Sequence, residues 1–322
     1  MNRRITAPKG QINLASLGNT PEEVHLFDDE SIIWALNAAL AARRPLLIRG
    51  EPGIGKTQLA RAVAAKEMLN CPLVSYVVDS GTESHDLMWT FDAVHRLAEA
   101  QISGTLKDKE PKVKERLDPE LFFHPGPLWW AFEWTTALKQ ATLVGDTPPD
   151  TPEGWKAGDG CVVLIDEIDK SESEVPNGLL EALGAGQFHP RGRKLPVKMT
   201  GEPPLVIITT NEERILPDAF VRRCLVLEMV LPKDEAILKS LLMERGRAHF
   251  GDHTNDDVLE LAALLLMNDR RTAKTTPLPG QAEFLDLIRI VVELCPGNFQ
   301  EQKNTLDHVS RFVLKKHVGA KE

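Results

Sequence analysis

The sequence is short of cysteine, of long apolar runs and of net positive charge, and each shortage removes a class of protein. Four cysteines (Cys71, Cys161, Cys224, Cys295) are scattered through 322 residues with no CxxC pair. That excludes a disulfide scaffold and a zinc ribbon. The nine histidines show neither HExxH nor any paired ligand spacing, so no zinc is expected. A GxSxG or Cys–His signature for a covalent nucleophile is missing too. The longest apolar stretches, Ile32–Leu40 and Leu261–Met267, are too short or too interrupted to span a bilayer. The opening MNRRITAPKGQ has no apolar signal core. A soluble, cytoplasmic protein without a membrane partner is the expectation. Lysine and arginine total 38 against 47 acids, a net charge of −9. This argues against a surface that grips nucleic acid throughout and leaves room only for a local basic patch.

What is there is ordinary globular composition, 42% hydrophobic and 26% charged, without internal repeats or low-complexity tracts. From Pro45 to about Val230, short apolar or β-branched runs alternate with helical patterns. The runs are Pro45–Arg49, Leu73–Val78, Cys161–Ile165, Leu205–Thr209 and Leu225–Val230. Their length suits strands buried on both faces of a parallel sheet. Thr57–Leu69, Leu128–Gln140 and Asn177–Leu183 carry helical spacing between them. The pattern predicts an α/β core, a parallel sheet flanked by helices. After Pro232 the strand signals stop, and Lys233–Phe250, Asp256–Met267, Glu283–Leu294 and Thr305–His317 read as helices. Two domains follow: a core over 1–232, with insertions near 81–127 and 186–202, and a smaller all-helical domain over 233–322. Residues 103–127 and 146–160 read as irregular insertions.

One motif carries chemistry outright. Gly50-Glu51-Pro52-Gly53-Ile54-Gly55-Lys56-Thr57 satisfies GxxxxGK followed by Ser or Thr. By chance the bare pattern arises in roughly one chain in a hundred of this length. Here it follows the run PLLIR and opens the helical pattern from Thr57 and Gln58, the context its mechanism requires. Glycines let successive backbone N–H groups curl around an anion, and the helix N-terminus adds partial positive charge. Lys56 can reach the β- and γ-phosphates of a nucleoside triphosphate, and the Thr57 hydroxyl can ligate Mg²⁺.

A buried strand ends in Asp166-Glu167. Asp166 at the sheet's C-terminal edge can hold Mg²⁺ through water, and Glu167 can polarise the water that attacks the γ-phosphate. An acidic helix start is the plain alternative. A kinase would not need a water-polarising glutamate, so hydrolysis is the better reading. The run Leu205–Thr210 delivers Asn211, which can position that water or serve merely as strand-end turn chemistry. Arg222 and Arg223 end a short helix, where paired arginines are often dipole partners.

GEPGIGKT, VVLIDEID, ITTN and LPDAFVRRC, in that order and followed by a helical region, resemble an AAA+ ATPase. More narrowly they resemble the MoxR-type group that includes CbbQ/NorQ-like activators. Phe123-His-Pro-Gly-Pro-Leu-Trp-Trp130 is similar to a PGPL stretch of that group, and Gly178–Leu183 with Phe188–Val197 to its helix and hairpin. The resemblance implies a P-loop AAA+ core with a helical lid, binding ATP and Mg²⁺. It implies that Gly50 to Gln58 and Asp166 bind nucleotide and metal, that Glu167 and Asn211 act on water, and that Arg223, with Arg222 as understudy, reaches the neighbouring subunit's γ-phosphate. It also implies a hexameric ring, a client protein to be remodelled, and a partner with a von Willebrand factor A domain. The family usually places a basic residue at the entry to the third lid helix; here that entry, Thr275 to Glu283, has none, and Lys274 and Arg271 are the nearest substitutes.

Three features are weighed against plainer readings. Trp129, Trp130, Phe132 and Trp134 stand at helical spacing, a base-stacking surface or simply core. His189–Lys194 is a compact basic loop, either a solvated hairpin tip or a contact for acidic substrate or phosphates. The mixed-sign run Lys107–Arg116 reads as a solvated face. Two rival functions stay open: a nucleic-acid motor or loader on the same core, and a nucleotide-gated interaction module with slow turnover.

Overall fold

A computed structural model of the chain describes residues 4–8, 10–15, 23–27, 29–106, 110–273 and 278–314. In chain order the elements are a hairpin of β1 (Gln11–Leu14) and β2 (Glu23–Leu26), then α1 (Glu30–Ala42), β3 (Leu46–Arg49), α2 (Lys56–Ala64) and β4 (Leu73–Val77). There follow β5 (Trp89–Phe91), α3 (Ala93–Thr105), α4 (Glu110–Arg116), β6 (Phe123–Pro125), α5 (Pro127–Phe132), α6 (Trp134–Val144) and β7 (Val162–Asp166). Then come α7 (Glu174–Ala185), β8 (Gln187–Phe188), β9 (Val197–Lys198), β10 (Leu205–Thr210), α8 (Asp218–Arg223) and β11 (Leu225–Glu228). The C-terminal third is helical: α9 (Glu235–Phe250), α10 (Asp256–Thr272), α11 (Gln281–Leu294) and α12 (Phe299–Val313). The fold is α/β with a C-terminal helical region. Among the described residues, no helix is long and apolar enough to cross a membrane.

Five strands form one sheet in the order β11-β3-β10-β7-β4. β10 and β4 both pair with β7 in parallel, with Leu205 and Leu73 opposite Val162. The β-branched residues of β7 and β10 are buried on both faces, as the unbroken apolar runs require.

Two compact units divide the chain. Met1–Thr6, Ser31–Leu47 and Val63–Leu227 make the first; Ala7–Glu30, Ile48–Ala62 and Glu228–Glu322 make the second. In the first unit α5 packs on β4 and β7, and its core joins Val163, Ile165 and Val206 to Phe123, Trp129 and Phe132. The four aromatics of the tryptophan cluster are all buried, so this cluster is core. Arg193 of the basic loop lies over the Trp129 ring at 4.4 Å and pairs with Glu120 at 3.0 Å, which leaves Arg191 and Lys194 exposed at the tip. In the second unit Leu242, Leu259, Leu266, Phe284, Ile288 and Leu306 interlock between helices, together with Ile54. Each such side chain contributes about 1.5–3 kcal/mol by leaving water.

Several expected boundaries move, each for a local reason. The helix expected over 128–140 is two, because Glu133 leaves helical geometry (φ −149°) and its carboxylate caps α6 at the Thr136 N–H. The helix expected from Thr57 to Leu69 stops at Ala64, and Asn70 turns the chain at φ +46°. The helix expected from Thr305 starts at Phe299, because Asn298 caps it through the Glu301 N–H; residues 315–317 of that expectation lie outside the described residues. The insertion expected to be irregular contains the end of α3, then α4 and β6. Within α4, Lys114 pairs with Glu110 one turn back at 2.7 Å; Lys107 lies outside the described residues. The β1–β2 hairpin is not among the expected elements.

Burial holds the imidazole of His249, on α9, below its ordinary value of 6.5, against the opposing charge of Glu23 and with Arg289 and Arg245 pushing the same way as burial. The unfolded chain therefore takes up this proton more readily. Stability from a neutral His249 is present above about pH 6.5 and is lost as pH falls toward the lower folded value. Urea unfolding at pH 7.5 and 5.5 should show the wild type weakening more than His249→Gln.

Candidate functional site

β3 runs straight into the glycine loop, whose residues belong to the second unit. Met229 N–H donates to the Arg49 carbonyl at 2.8 Å, so the chain lies against Gly50. A Cβ on Gly50 would stand 2.2 Å from the Met229 carbonyl oxygen, and only glycine fits. Gly53 (φ +75°) and Gly55 (φ +98°) then turn the backbone through the left-handed region. α2 starts at Lys56 with no acid in its first turn, which leaves its N-terminal partial charge uncancelled. Lys56 is buried in the loop, and its ammonium donates to the carbonyls of Gly50 at 2.7 Å and Glu51 at 3.0 Å.

The loop is braced by helices of its own unit. Ala282 N–H, at the start of α11, donates to the Gly53 carbonyl at 3.0 Å, and Ile54 is buried among the helix side chains. Arg270 grips the Glu51 carboxylate through both terminal nitrogens (3.2 and 3.1 Å) and donates to the Pro279 carbonyl at 2.6 Å. Arg270 escaped the sequence reading, although it continues the buried face of α10 set by Leu266 and Met267. Arg271 instead pairs with Glu235 at 2.8 Å in solvent, and Lys274 lies outside the described residues. Gln58 and Arg61 both donate to Glu23 of β2, at 3.0 and 3.1 Å.

In the first unit, the ends of β7 and β10 carry a polar cluster. The Thr209 hydroxyl, fully buried, donates to Asp166 and accepts from the Glu167 N–H at 2.9 Å. Glu167 sits in the left-handed region at φ +59°, a costly conformation for a residue with a side chain. One of its carboxylate oxygens accepts from the Asn211 amide at 3.1 Å, the other from the Lys170 ammonium. That bond raises the Lys170 pKa above its ordinary value. Asp169, buried, accepts from the backbone N–H groups of Asn211 (3.4 Å) and Glu213 (2.8 Å) and so shapes the loop after β10. Thr209, Asp169 and Lys170 were missed; their hydroxyl, carboxylate and ammonium follow no named motif.

Glu167 and Asn211 are thus brought together. Arg222 and Arg223 end α8, both exposed. Among the described residues, no cluster of three or more His, Cys, Asp or Glu side chains is placed to hold a metal ion.

The family described as AAA domain (dynein-related subfamily) matches residues 45–224. Among solved structures, a point mutant of RuvB from Thermotoga maritima is 16% identical, with a TM-score of 0.46 over 87% of this chain and 70% of that one. A putative ATPase from Cytophaga hutchinsonii is 13% identical, with a TM-score of 0.37 over 88% of this chain and 80% of that one. None of the curated proteins matches the sequence.

Replacing Thr209 by valine keeps its shape but removes the hydroxyl shared by Asp166 and Glu167. Urea unfolding should then report a loss of about 1–3 kcal/mol.

Proposed function

The chain belongs to the AAA domain family, in its dynein-related subfamily, and from that premise we propose that it is a Mg²⁺-dependent ATPase. On this reading it assembles head to tail into a ring, a hexamer in the MoxR-type pattern, and uses hydrolysis to remodel a client protein in the cytoplasm. The glycine loop carries the proposal most directly. Positive φ at Gly53 and Gly55, a helix start free of acids and a lysine folded into the loop form a cradle that fits a chain of phosphates.

The roles follow from the chemistry of each group. Backbone N–H groups of the Gly50 to Thr57 loop, except at Pro52, which has none, bind phosphate oxygens, and Lys56 exchanges its carbonyl partners for them. Thr57 would ligate Mg²⁺, with Asp166 as the ligand that the family resemblance adds through water, and the ion would draw charge from the phosphate oxygens. Glu167 takes the proton of the attacking water. Each of its oxygens accepts one hydrogen bond, from Asn211 or Lys170, and keeps a second lone pair for that proton. Asn211 orients the water. Arg223, or Arg222, stabilises the transition state in the neighbouring subunit, and an arginine acting in trans requires a heterologous interface that closes into a ring.

A von Willebrand factor A-domain partner is the counterpart that the MoxR-type resemblance favours. The exposed Arg191 and Lys194 give the nucleic-acid reading its one specific support, against a net charge of −9. Sedimentation with and without Mg²⁺–ATP should show assembly to a ring. Arg223→Ala should still bind ATP while turnover falls by about 10³-fold. A protein that stays monomeric with ATP, and an Arg223→Ala variant at the wild-type rate, would overturn the proposal. Salt-sensitive stimulation by DNA would move the client from protein to nucleic acid.

A further inference from the structure

α8 is a six-residue helix that ends in two adjacent arginines, and its end is held by a third. The Arg44 guanidinium donates from Nε to the Arg223 carbonyl at 2.9 Å, and from one terminal nitrogen to the carbonyls of Arg222 and, at 3.0 Å, Cys224. These are carbonyls that a helix leaves without intrahelical donors at its C-terminus. The planar fork of arginine can serve all three at once, which a lysine ammonium on a flexible stem cannot do with the same geometry.

Arg44 is itself fixed from behind. α1 ends at Ala42, Arg43 turns the chain at φ +51°, and the Arg44 N–H bonds back to the Ala39 carbonyl at 3.2 Å. The next residue, Pro45, accepts from the Leu225 N–H at 2.8 Å, where β11 begins. On either side of the arginine pair, Phe220 is fully buried and Cys224 is buried. The backbone between them is therefore anchored at both ends and clamped in the middle.

The side chains this turn presents have no such anchor. Arg222 and Arg223 are exposed, and among the described residues no carboxylate pairs with either guanidinium. The helix C-terminus favours the positive charges gathered here, but no ion pair orients the two exposed guanidinium groups, so their direction is set by the backbone that carries them.

We infer that Arg44 is a positioning residue for the trans-acting arginine: it clamps the end of α8 so that Arg222 or Arg223 meets the neighbouring subunit's phosphate. The inference rests on the reading of one of those two as that arginine. The Arg44 guanidinium is taken up by three backbone carbonyls, and it acts through the backbone it holds.

Steady-state ATPase kinetics on the full chain test it. Arg44→Gln should lower kcat by about tenfold to a hundredfold with KM and ATP-driven assembly unchanged, and Arg44→Lys should fall between it and the wild type. Mixing separates positioning from a structural role. Rings of Arg44→Gln subunits mixed with Lys56→Ala subunits should turn over faster than either alone, because every intact P-loop that has a Lys56→Ala neighbour then faces a clamped α8. If Arg222→Ala and Arg223→Ala both hydrolyse at the wild-type rate, the trans-arginine reading itself fails. If either loses turnover while Arg44→Gln and Arg44→Lys keep the wild-type kcat, the role of Arg44 is wrong. A slow Arg44→Gln or Arg44→Lys enzyme that gains nothing on mixing would also overturn it, because the defect would then lie within its own subunit.

Discussion

Parallel pairing of β7 with β10 is the constraint on which the chemistry of the first unit depends. The register sets Leu205 opposite Val162 and Ile208 opposite Ile165, so both strands deliver their polar ends at the same level. Asp166 and Glu167 leave one strand as Thr209 to Asn211 leave the other. A slip of one residue would carry Asp166 and Glu167 out of level with Thr209 and Asn211, so the register holds the site. The Thr209 hydroxyl, enclosed and bonded to both acidic residues, converts that alignment into fixed positions.

Glycine has the corresponding part in the second unit, for reasons of space as much as of torsion. Gly50 lies where a methyl group would strike the Met229 carbonyl, and a Cβ on Gly53 would come within 2.9 Å of that of Ala282. The phosphate-type loop is thus shaped by close approach of its own unit's helical segment, with the Arg270–Glu51 pair and the Ala282–Gly53 hydrogen bond as braces. Such bracing holds a loop whose positive φ values glycine adopts without strain.

Much of this was legible beforehand, and what was not shares one cause. The five strands and the start of the glycine loop announce themselves by unbroken apolar runs and by local torsional demands, which are properties of neighbours in sequence. Glu167 and Asn211 could be named because each ends a buried strand. Arg270, Asp169, Lys170 and Arg44 could not, because their roles come from partners brought near by folding: Glu51 lies 219 residues from Arg270, and the α8 carbonyls lie 178 to 180 residues from Arg44. The break at Glu133 was hidden because a run of apolar aromatics masks a cap. The helices inside the insertion were hidden because mixed charge resembles loop composition until i,i+4 pairs are counted.

The central claim is that this chain hydrolyses ATP with Glu167 as the base. Single-turnover phosphate release by Glu167→Gln, beside a direct measurement of its ATP affinity, tests it most directly. The account predicts that ATP binds at least as tightly as to the wild type while the chemical step slows by a factor of about 10² or more. Release at the wild-type rate with tight binding would contradict it, and the base would have to be sought elsewhere.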